Sequence, residues 1–582
     1  MSTTHPRSHP TRGEPHLAWR PLQRSTRLAI IGALLATLSY QIFLLTPQYR
    51  GNGWLWVAML VAEGLTAFHA IGTWWTILAH DDRPEPVDVT VWRNRLQAGS
   101  AEVPTIDVFI TACGELPDLV LATMRAARDM RLPHRTWVLD DGASDEIERF
   151  CAQERIGYFR RDNRLHAKAG NVNAALARTT GEYVAIFDAD HVPERDFLMH
   201  VLPYFHDAHV AFVQSPQHYV NKMNLVSTGS AEAQRIFYEL VCPGKNNFNA
   251  AFCVGTNAMF RREALDEIGG IAIGSNSEDI WTSLELHKLG WQSIYVPAVL
   301  ARGLAPDEVG PYFKQQLRWA SGGFEVLFRG QLFRRGNGLT IDQRLQYLFT
   351  GTHYLLSIAT LTFMLLPAAY LLFELSPIKA DGWVWATHYV PFYAMTILVT
   401  WLQSGGFRVA AIVASIGAAP VHVRALFAVM RRKKAVWHAT NQAGVSRRSL
   451  WVVMPHVALL LLNLTAIAVG VAVMADPAPT WLSVAWAAMI VFILGRMIAE
   501  VLFGRRGTDS SAELHAAGSH RYLAAIADAD SESLDDWLND TTVVLPRRPS
   551  GSGLRDPAQP QGILSGRVRS TGSVHASRES QL

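Results

Sequence analysis

Charge is scarce in this chain. Asp, Glu, Lys and Arg make up 18% of its 582 residues, while 49% are hydrophobic and 18 are Trp; a soluble domain carries roughly 25% charged residues. The balance favours a folded domain joined to a membrane region over several soluble domains. An excess of one sign is also missing: the net charge of +3 gives no electrostatic basis for nucleic-acid binding. Cysteine is rare and irregularly spaced. Cys113, Cys151, Cys242 and Cys253 share no metal-ligand spacing, so reduced thiols are expected rather than a zinc site or a disulfide framework. No internal repeat is evident. The first apolar segment is long and lacks a small-residue cleavage site, which argues against a signal peptide.

Long apolar runs, by contrast, are plentiful. Residues 28–45 and 54–78 reach bilayer length and are joined by the short link 46–52, predicting a transmembrane hairpin. Glu63 and His69 fall inside its second helix, where an ionisable group should face protein or water rather than lipid. Apolar segments return at 347–373, 385–402, 451–473 and 481–503. Residues 407–430 are ambiguous, because only 15 uncharged residues separate Arg408 from Arg424 and Pro420 interrupts them. If this segment spanned, the cluster Arg431-Arg432-Lys433-Lys434 would be translocated, against the positive-inside tendency. An interfacial helix is expected instead, leaving about six spans with both termini in the cytosol.

The expected organisation is a disordered N-terminus (1–26), a transmembrane hairpin (27–80), a cytosolic α/β domain (81–310), interfacial helices (311–345), a second hairpin (346–404), a cytosolic interfacial helix and loop (405–450), a third hairpin (451–504) and a mostly disordered tail (505–582). Within the domain, strand-like runs at 106–110, 136–139, 183–187 and 209–213 alternate with helical stretches such as 119–130, which implies a mainly parallel sheet.

The most informative run is Tyr183-Val184-Ala185-Ile186-Phe187-Asp188-Ala189-Asp190-His191, an apolar strand ending in two carboxylates. In an open α/β sheet the ligand crevice lies beyond the carboxyl ends of the strands. Hard oxygen donors there suit Mg2+ or Mn2+ with a diphosphate. Spelling alone carries little weight, since Asp528-Ala529-Asp530 repeats it after a helical run in the polar tail. Upstream, Trp137 to Ser144 contains Asp140-Asp141-Gly142 at a strand end; Asp141 could bond a nucleotide base or ribose, or belong to a turn and helix cap. Lys168, in His166-Ala167-Lys168-Ala169-Gly170-Asn171, precedes a helix and could neutralise a diphosphate, or be merely solvated. Gly255-Thr256 suits close approach of a sugar, or an ordinary loop. Ser277-Glu278-Asp279 opens a helix, with Asp279 either a general base or a helix-end charge. Gln315-x-x-Arg318-Trp319 lies on an amphipathic stretch where Trp and Arg also serve as interfacial anchors.

In this order, and flanked by membrane helices, these motifs closely resemble the processive family-2 glycosyltransferases, especially bacterial cellulose synthase catalytic subunits, over residues 104–330. The resemblance implies a GT-A type α/β domain inserted in a transmembrane region with a polysaccharide channel. By the same resemblance Asp141 would contact uridine, while Asp188 and Asp190 would hold UDP and the divalent metal, Mg2+ or Mn2+. Asp279 would deprotonate the acceptor hydroxyl in an inverting reaction. Gln315, Arg318 and Trp319 would hold the diphosphate and stack on the acceptor sugar. The implied partners are a UDP-sugar donor, UDP-glucose first, a growing β-glucan, the lipid bilayer of the inner membrane and an accessory export subunit. Two departures stand out. The usual Thr-Glu-Asp is Ser277-Glu278-Asp279, and of a Phe-x-Val-Thr gating loop only Thr440 is retained, within residues 436–442. No PilZ-like segment is recognised. Two other readings stay open, a non-processive transferase acting on a lipid or lipid-linked acceptor and an inactive membrane scaffold or export subunit.

Overall fold

Residues 22–80, 85–222, 224–432, 450–473 and 477–503 are described by the computed structural model of the chain. Helices α1 (Arg24–Leu45), α2 (Gly53–Leu78) and α3 (Val87–Gln97) precede the α/β domain. It begins with β1 (Ile106–Ala112), α4 (Pro117–Arg128), β2 (Arg135–Asp140), α5 (Asp145–Glu154), β3 (Gly157–Phe159), α6 (Ala167–Leu176), β4 (Tyr183–Asp188), β5 (His191–Pro193) and α7 (Phe197–Val201). It continues with β6 (Val210–Gln214), β7 (His218–Tyr219), α8 (Leu225–Ile236), α9 (Cys242–Asn247), β8 (Ala258–Arg261), α10 (Arg262–Glu267), α11 (Glu278–Lys288), β9 (Gln292–Tyr295) and β10 (Ala301–Gly303). Then follow α12 (Val309–Arg329), α13 (Ile341–Thr352), α14 (Leu356–Phe373), α15 (Gly382–Ser404), α16 (Val409–Gly417), α17 (Ala419–Met430), α18 (Leu450–Val473) and α19 (Pro477–Phe503).

Seven strands form one sheet in the order β3-β2-β1-β4-β8-β6-β9. Every neighbouring pair is parallel except those of β8, which runs antiparallel between β4 and β6. The α/β class with a mainly parallel sheet is thus as the sequence implies. Side chains of β4 alternate between two cores: Val184 and Ile186 join Phe109, Phe212 and Phe260 on one face, while Ala185 and Phe187 join Val108, Ile110 and Met259 on the other. Burial on both faces explains why β4 is apolar throughout until Asp188. The chain places β2 and β3 on one side of β1 and β4 on the other, so the order reverses between β1 and β4, the position where such sheets bind ligands. The four strands expected from the sequence are all present within a residue or two. Strand β8 follows the Gly255-Thr256 loop directly.

Around the domain, α1 packs on α15 and α2 on α14. Their links lie side by side: the N–H of Gly51 donates to Pro377 O (3.1 Å), that of Asn52 to Ser376 O (2.8 Å) and that of Lys379 to Tyr49 O (2.8 Å). The opposite helix ends meet the domain. Asn247 Nδ2 donates to Ala79 O (3.2 Å) after α2, and Arg235 of α8 donates to Ser404 O at the end of α15. Glu63 accepts from Tyr40 OH (3.3 Å) and His69 Nε2 meets Thr352 Oγ1 (3.2 Å), so both ionisable groups face protein.

Among the described residues, six segments are long and apolar enough to cross a membrane: Arg24–Leu45, Gly53–Leu78, Ile341–Phe373, Val409–Met430, Val453–Val473 and Pro479–Phe503. The number is the expected one, but the membership differs. The expected span at 385–402 is absent from the set, because α15 carries Thr387, His388, Tyr389, Thr396 and Thr400 among its apolar residues. Its 23 residues, about 35 Å of helix, nevertheless run from the joined links to the domain. Residues 407–430, expected to lie at the surface, are apolar enough to qualify. They are broken into α16 and α17 at Ala418, just before Pro420, which has no N–H to offer a continuous helix, and they pack along α8 and α12. Within Ile341–Phe373, Tyr347 lies in α13, buried against the domain with its OH on His287 Nδ1 (2.8 Å), and a 3-10 turn at His353–Leu355 precedes α14. Helix α1 begins at Arg24, inside the expected disordered segment 1–26. The retained Thr440, Lys433, Lys434, Asp528, Asp530 and the tail 505–582 lie outside the described residues.

Gly229 of α8 is the contact point with α16, since a Cβ there would stand 2.5 Å from Ala410 O. Gly229→Leu should therefore destabilise the protein by about 1–3 kcal/mol, read as a lowered Tm in detergent. An unchanged Tm would mean that α16 is free to shift away from α8.

Candidate active site

Strand β4 delivers Asp188 to the switch point, and three elements close around it. From the strand partner β1, Thr111 Oγ1 donates to Asp188 Oδ1 (3.1 Å); from the loop before β8, Thr256 Oγ1 accepts the Asp188 N–H (2.9 Å). At the N-terminus of α6, Lys168 pairs with Asp188 Oδ1 and donates to Gly255 O (2.6 Å). Burial alone would push the Asp188 carboxyl up, but the Lys168 ammonium, with His191 and Arg318, outweighs it and holds the group below its ordinary value. Asp190 Oδ1 meets His191 Nδ1 (2.9 Å). One donor atom each from Asp188, Asp190 and His191 lies within 4.8 Å of the others, which fits a divalent cation with oxygen and imidazole ligands. His191 was not among the ligands expected from the sequence.

The loop before β8 forms the floor. Gly255 has φ +92° and a Cβ there would approach Asp279 Oδ2 at 3.3 Å and Lys168 Nζ at 3.7 Å, so the left-handed backbone of a glycine separates the two groups. Gln214 braces this loop: its Nε2 donates to Ser215 O (2.6 Å) and Thr256 O (2.8 Å), and its Oε1 accepts the Val254 N–H (3.0 Å). Asp279 sits in the first turn of α11 with Oδ1 accepting from the Ile280 N–H (2.8 Å). Burial, followed by the neighbouring Glu278 carboxylate, pushes the Asp279 carboxyl up to about 7, against the pull of Arg318 and Lys168.

Helix α12 supplies the opposite wall. The Arg318 guanidinium acts on both Asp188 and Asp279, which places it in the field of the two carboxylates. Gln315 Oε1 is buried without a partner, and Trp319 is half-buried. Lys168, Asp188, Asp279 and Arg318 are thus gathered from four separate elements. Asp141 is not part of that cluster. It follows β2 directly, two strands from β4 and so about 10 Å along the sheet, and Arg161 grips it through Nε to Oδ1 (2.7 Å) and Nη2 to Oδ2 (2.6 Å). Its neighbour Asp140 is a turn former, accepting from the N–H groups of Gly142, Ala143 and Ser144 and from Tyr158 OH.

Three residues besides His191 escaped the sequence reading. Glu115, just beyond β1, has its carboxyl pushed up to about 7 by burial and by the nearby Asp190 and Asp188; the strand-end rule that found Asp188 applies to it equally. Glu325 lies seven residues beyond Arg318 on α12 and binds the loop ahead of Asp279; helical spacing could have flagged it. Arg161 carries no local signal. Breaking its buried pair by Arg161→Leu leaves the Asp141 charge uncompensated and should cost about 3–5 kcal/mol, measurable as a fall in Tm, whereas a neutral result would mean that water replaces the guanidinium.

A family model described as Glycosyl transferase family group 2 matches residues 183–402. The UDP-forming cellulose synthase catalytic subunit of Pseudomonas fluorescens (strain SBW25) is 33% identical over 465 residues, 76% of this chain and 62% of that protein. The corresponding subunit of Xanthomonas axonopodis pv. citri (strain 306) is 37% identical over 280 residues, 47% of this chain and 37% of that protein. The chain therefore spans less than two thirds of the length of these curated relatives. Among solved structures, a mannosyltransferase from Pyrobaculum calidifontis in complex with GDP-Man and Mn2+ aligns with TM-score 0.34 and 16% identity, covering 77% of this chain and 100% of that one. On its ordered motifs and these sequence matches, the chain is similar to the family-2 glycosyltransferases and, within them, to cellulose synthase catalytic subunits.

Proposed function

We propose that the protein is a membrane-embedded, inverting, processive glycosyltransferase that polymerises a UDP-sugar, UDP-glucose first, into a β-glucan and passes the chain outward. The observation that carries this reading is the pair of opposed carboxylates: Asp188 held ionised by Lys168 and Arg318, and Asp279 held near neutrality across Gly255. Groups whose environments drive their proton affinities apart are suited to separate electrostatic and acid–base roles.

In this reading Asp279 takes the proton of the acceptor's terminal hydroxyl, and the freed oxygen attacks the anomeric carbon as the bond to the β-phosphate breaks, inverting that centre. Lys168, Arg318 and Gln315 bind the departing diphosphate, so their charge and donors act most strongly as negative charge develops on UDP. Asp141, oriented by Arg161, is assigned to the uridine, and Trp319 to stacking on the acceptor sugar. Asp188, Asp190 and His191 would hold the divalent cation, Mg2+ or Mn2+, which supplies Lewis-acid charge at the diphosphate. The six spans are assigned to α1, α2, α14, α15, α18 and α19, with the domain on the cytosolic side of the inner membrane and α16 and α17 along its surface. An accessory export subunit is the further partner expected.

Purified protein in lipid with Mg2+ or Mn2+ should convert radiolabelled UDP-glucose, but not UDP-GlcNAc or UDP-glucuronate, into insoluble polymer whose linkage is read with specific glucanases. Asp279→Asn should keep UDP binding and lose polymer formation; wild-type turnover in that variant removes Asp279 as base. Because a base must be deprotonated to act, kcat/KM should rise with pH through about 7 rather than through the usual carboxylate range. A flat profile between pH 5 and 8 contradicts the assignment. Trp319→Ala should harm elongation more than hydrolysis of the UDP-sugar, and equal loss of both assigns Trp319 to the fold.

A further inference from the structure

Helix α12 reaches the site at a second place. Glu325 is 5% exposed, and its carboxylate is filled by the loop ahead of α11. Oε2 accepts from Ser275 Oγ (2.8 Å) and from the Asn276 N–H (2.9 Å), while Oε1 accepts from Asn276 Nδ2 (2.7 Å). Ser275 Oγ in turn accepts the Ser277 N–H (3.1 Å). A buried carboxylate is costly unless such donors satisfy it, so the loop and the helix are held together on both sides of the contact. Gly322, about one turn earlier on α12, allows the approach: a Cβ there would lie 1.9 Å from Ser277 Oγ. Arg318, Gly322 and Glu325 follow helical spacing along one face. One end of that face presents Arg318 to Asp188 and Asp279; the other clasps residues 275–277, immediately before the turn that carries Asp279.

We propose that Glu325 is a positioning residue which, by clasping Ser275 and Asn276, fixes Asp279 relative to Arg318 and so sets the spacing between the acceptor hydroxyl and the donor's anomeric carbon. The proposal rests on the reading of Asp279 as the base and Arg318 as a donor-side cation. Glu325 touches neither substrate. Its effect is geometric, and a displacement of about 1 Å in a reacting pair can cost on the order of 10²-fold in rate. A glutamine retains the shape and one acceptor oxygen for Ser275 and the Asn276 N–H, and the Asn276 amide can turn to accept from its NH2, so charge is not what the contact requires.

The test uses the full chain in lipid with Mn2+ and UDP-glucose, comparing wild type, Glu325→Ala, Glu325→Gln, Gly322→Ala and Asp279→Asn for kcat, KM and UDP affinity. Glu325→Ala and Gly322→Ala should lose about 10²-fold in kcat with UDP affinity within about threefold of wild type, the signature of an interaction used in the transition state rather than in binding. Glu325→Gln should restore most of kcat. Wild-type kcat in Glu325→Ala, a parallel loss of UDP affinity and kcat, or a Glu325→Gln variant as impaired as Glu325→Ala each overturns the proposal. If Glu325→Ala does not fold, Gly322→Ala, which loosens the same contact from the helix side, is judged by the same criteria. Asp279→Asn separates the two readings: if it turns over normally, the base assignment fails, and if it is inert while Glu325→Ala is normal, only the clasp fails.

Discussion

The ion pair between Lys168 and Asp188 is the constraint to which the rest of the site answers. An apolar strand buried on both faces can end in a carboxylate only if something nearby offsets the loss of water around the charge. Here the N-terminus of α6 brings a cation and β1 brings a hydroxyl through Thr111, while the loop before β8 accepts the Asp188 N–H at Thr256 and holds Lys168 through the Gly255 carbonyl. That loop in turn needs Gln214 to hold it and a residue free to adopt φ +92° at its tip. The reversed strand β8 beside β4 follows from the same demand, since it is the continuation of the loop that closes on Asp188.

Across Gly255 the balance of forces is inverted. Asp279 is buried and shares its helix end with Glu278, and the positive charge of Arg318 and Lys168 offsets these two effects only in part. The cations that stabilise Asp188 thereby leave Asp279 under-compensated. One cluster of residues thus keeps one carboxylate charged and another poised near neutral pH, a division that a metal-assisted transfer with a separate base would use.

The membrane-side helices are tied to this cluster through α12 and α13 rather than added beside it. Helix α12 carries Arg318 and Glu325 on its domain face, while Gln316 Oε1 accepts from His422 Nε2 of α17 (3.1 Å). Helix α13 buries Tyr347 against α11 and receives Lys245 of α9 through Gln346 and Thr350. Helix α13 thus ties the helices that follow it to the helix bearing Asp279.

Periodicity and local chemistry made much of this legible beforehand. Continuous β-branched and aromatic runs fix strands such as β4, because burial on both faces demands them, and the strand-end rule marks Asp188. The same order of motifs gave the resemblance and singled out Lys168, Asp279 and Arg318, which the fold brings to one place. What local sequence could not fix is anything that depends on which distant segment returns to a given place. Arg161 reaches Asp141 only because β3 lies beside β2, Glu325 meets Asn276 only because α12 folds back on α11, and His191 becomes a third candidate ligand only where its ring turns toward Asp190. The choice between α15 and residues 407–430 as membrane partner is of the same kind. Composition alone favours 407–430, but the bridged links 46–52 and 374–381 and the packing of α16 on α8 are tertiary facts. A sequence determines which groups must be buried or compensated, and only the tertiary structure decides by what, because the compensating partner is set by proximity in space and not by distance along the chain.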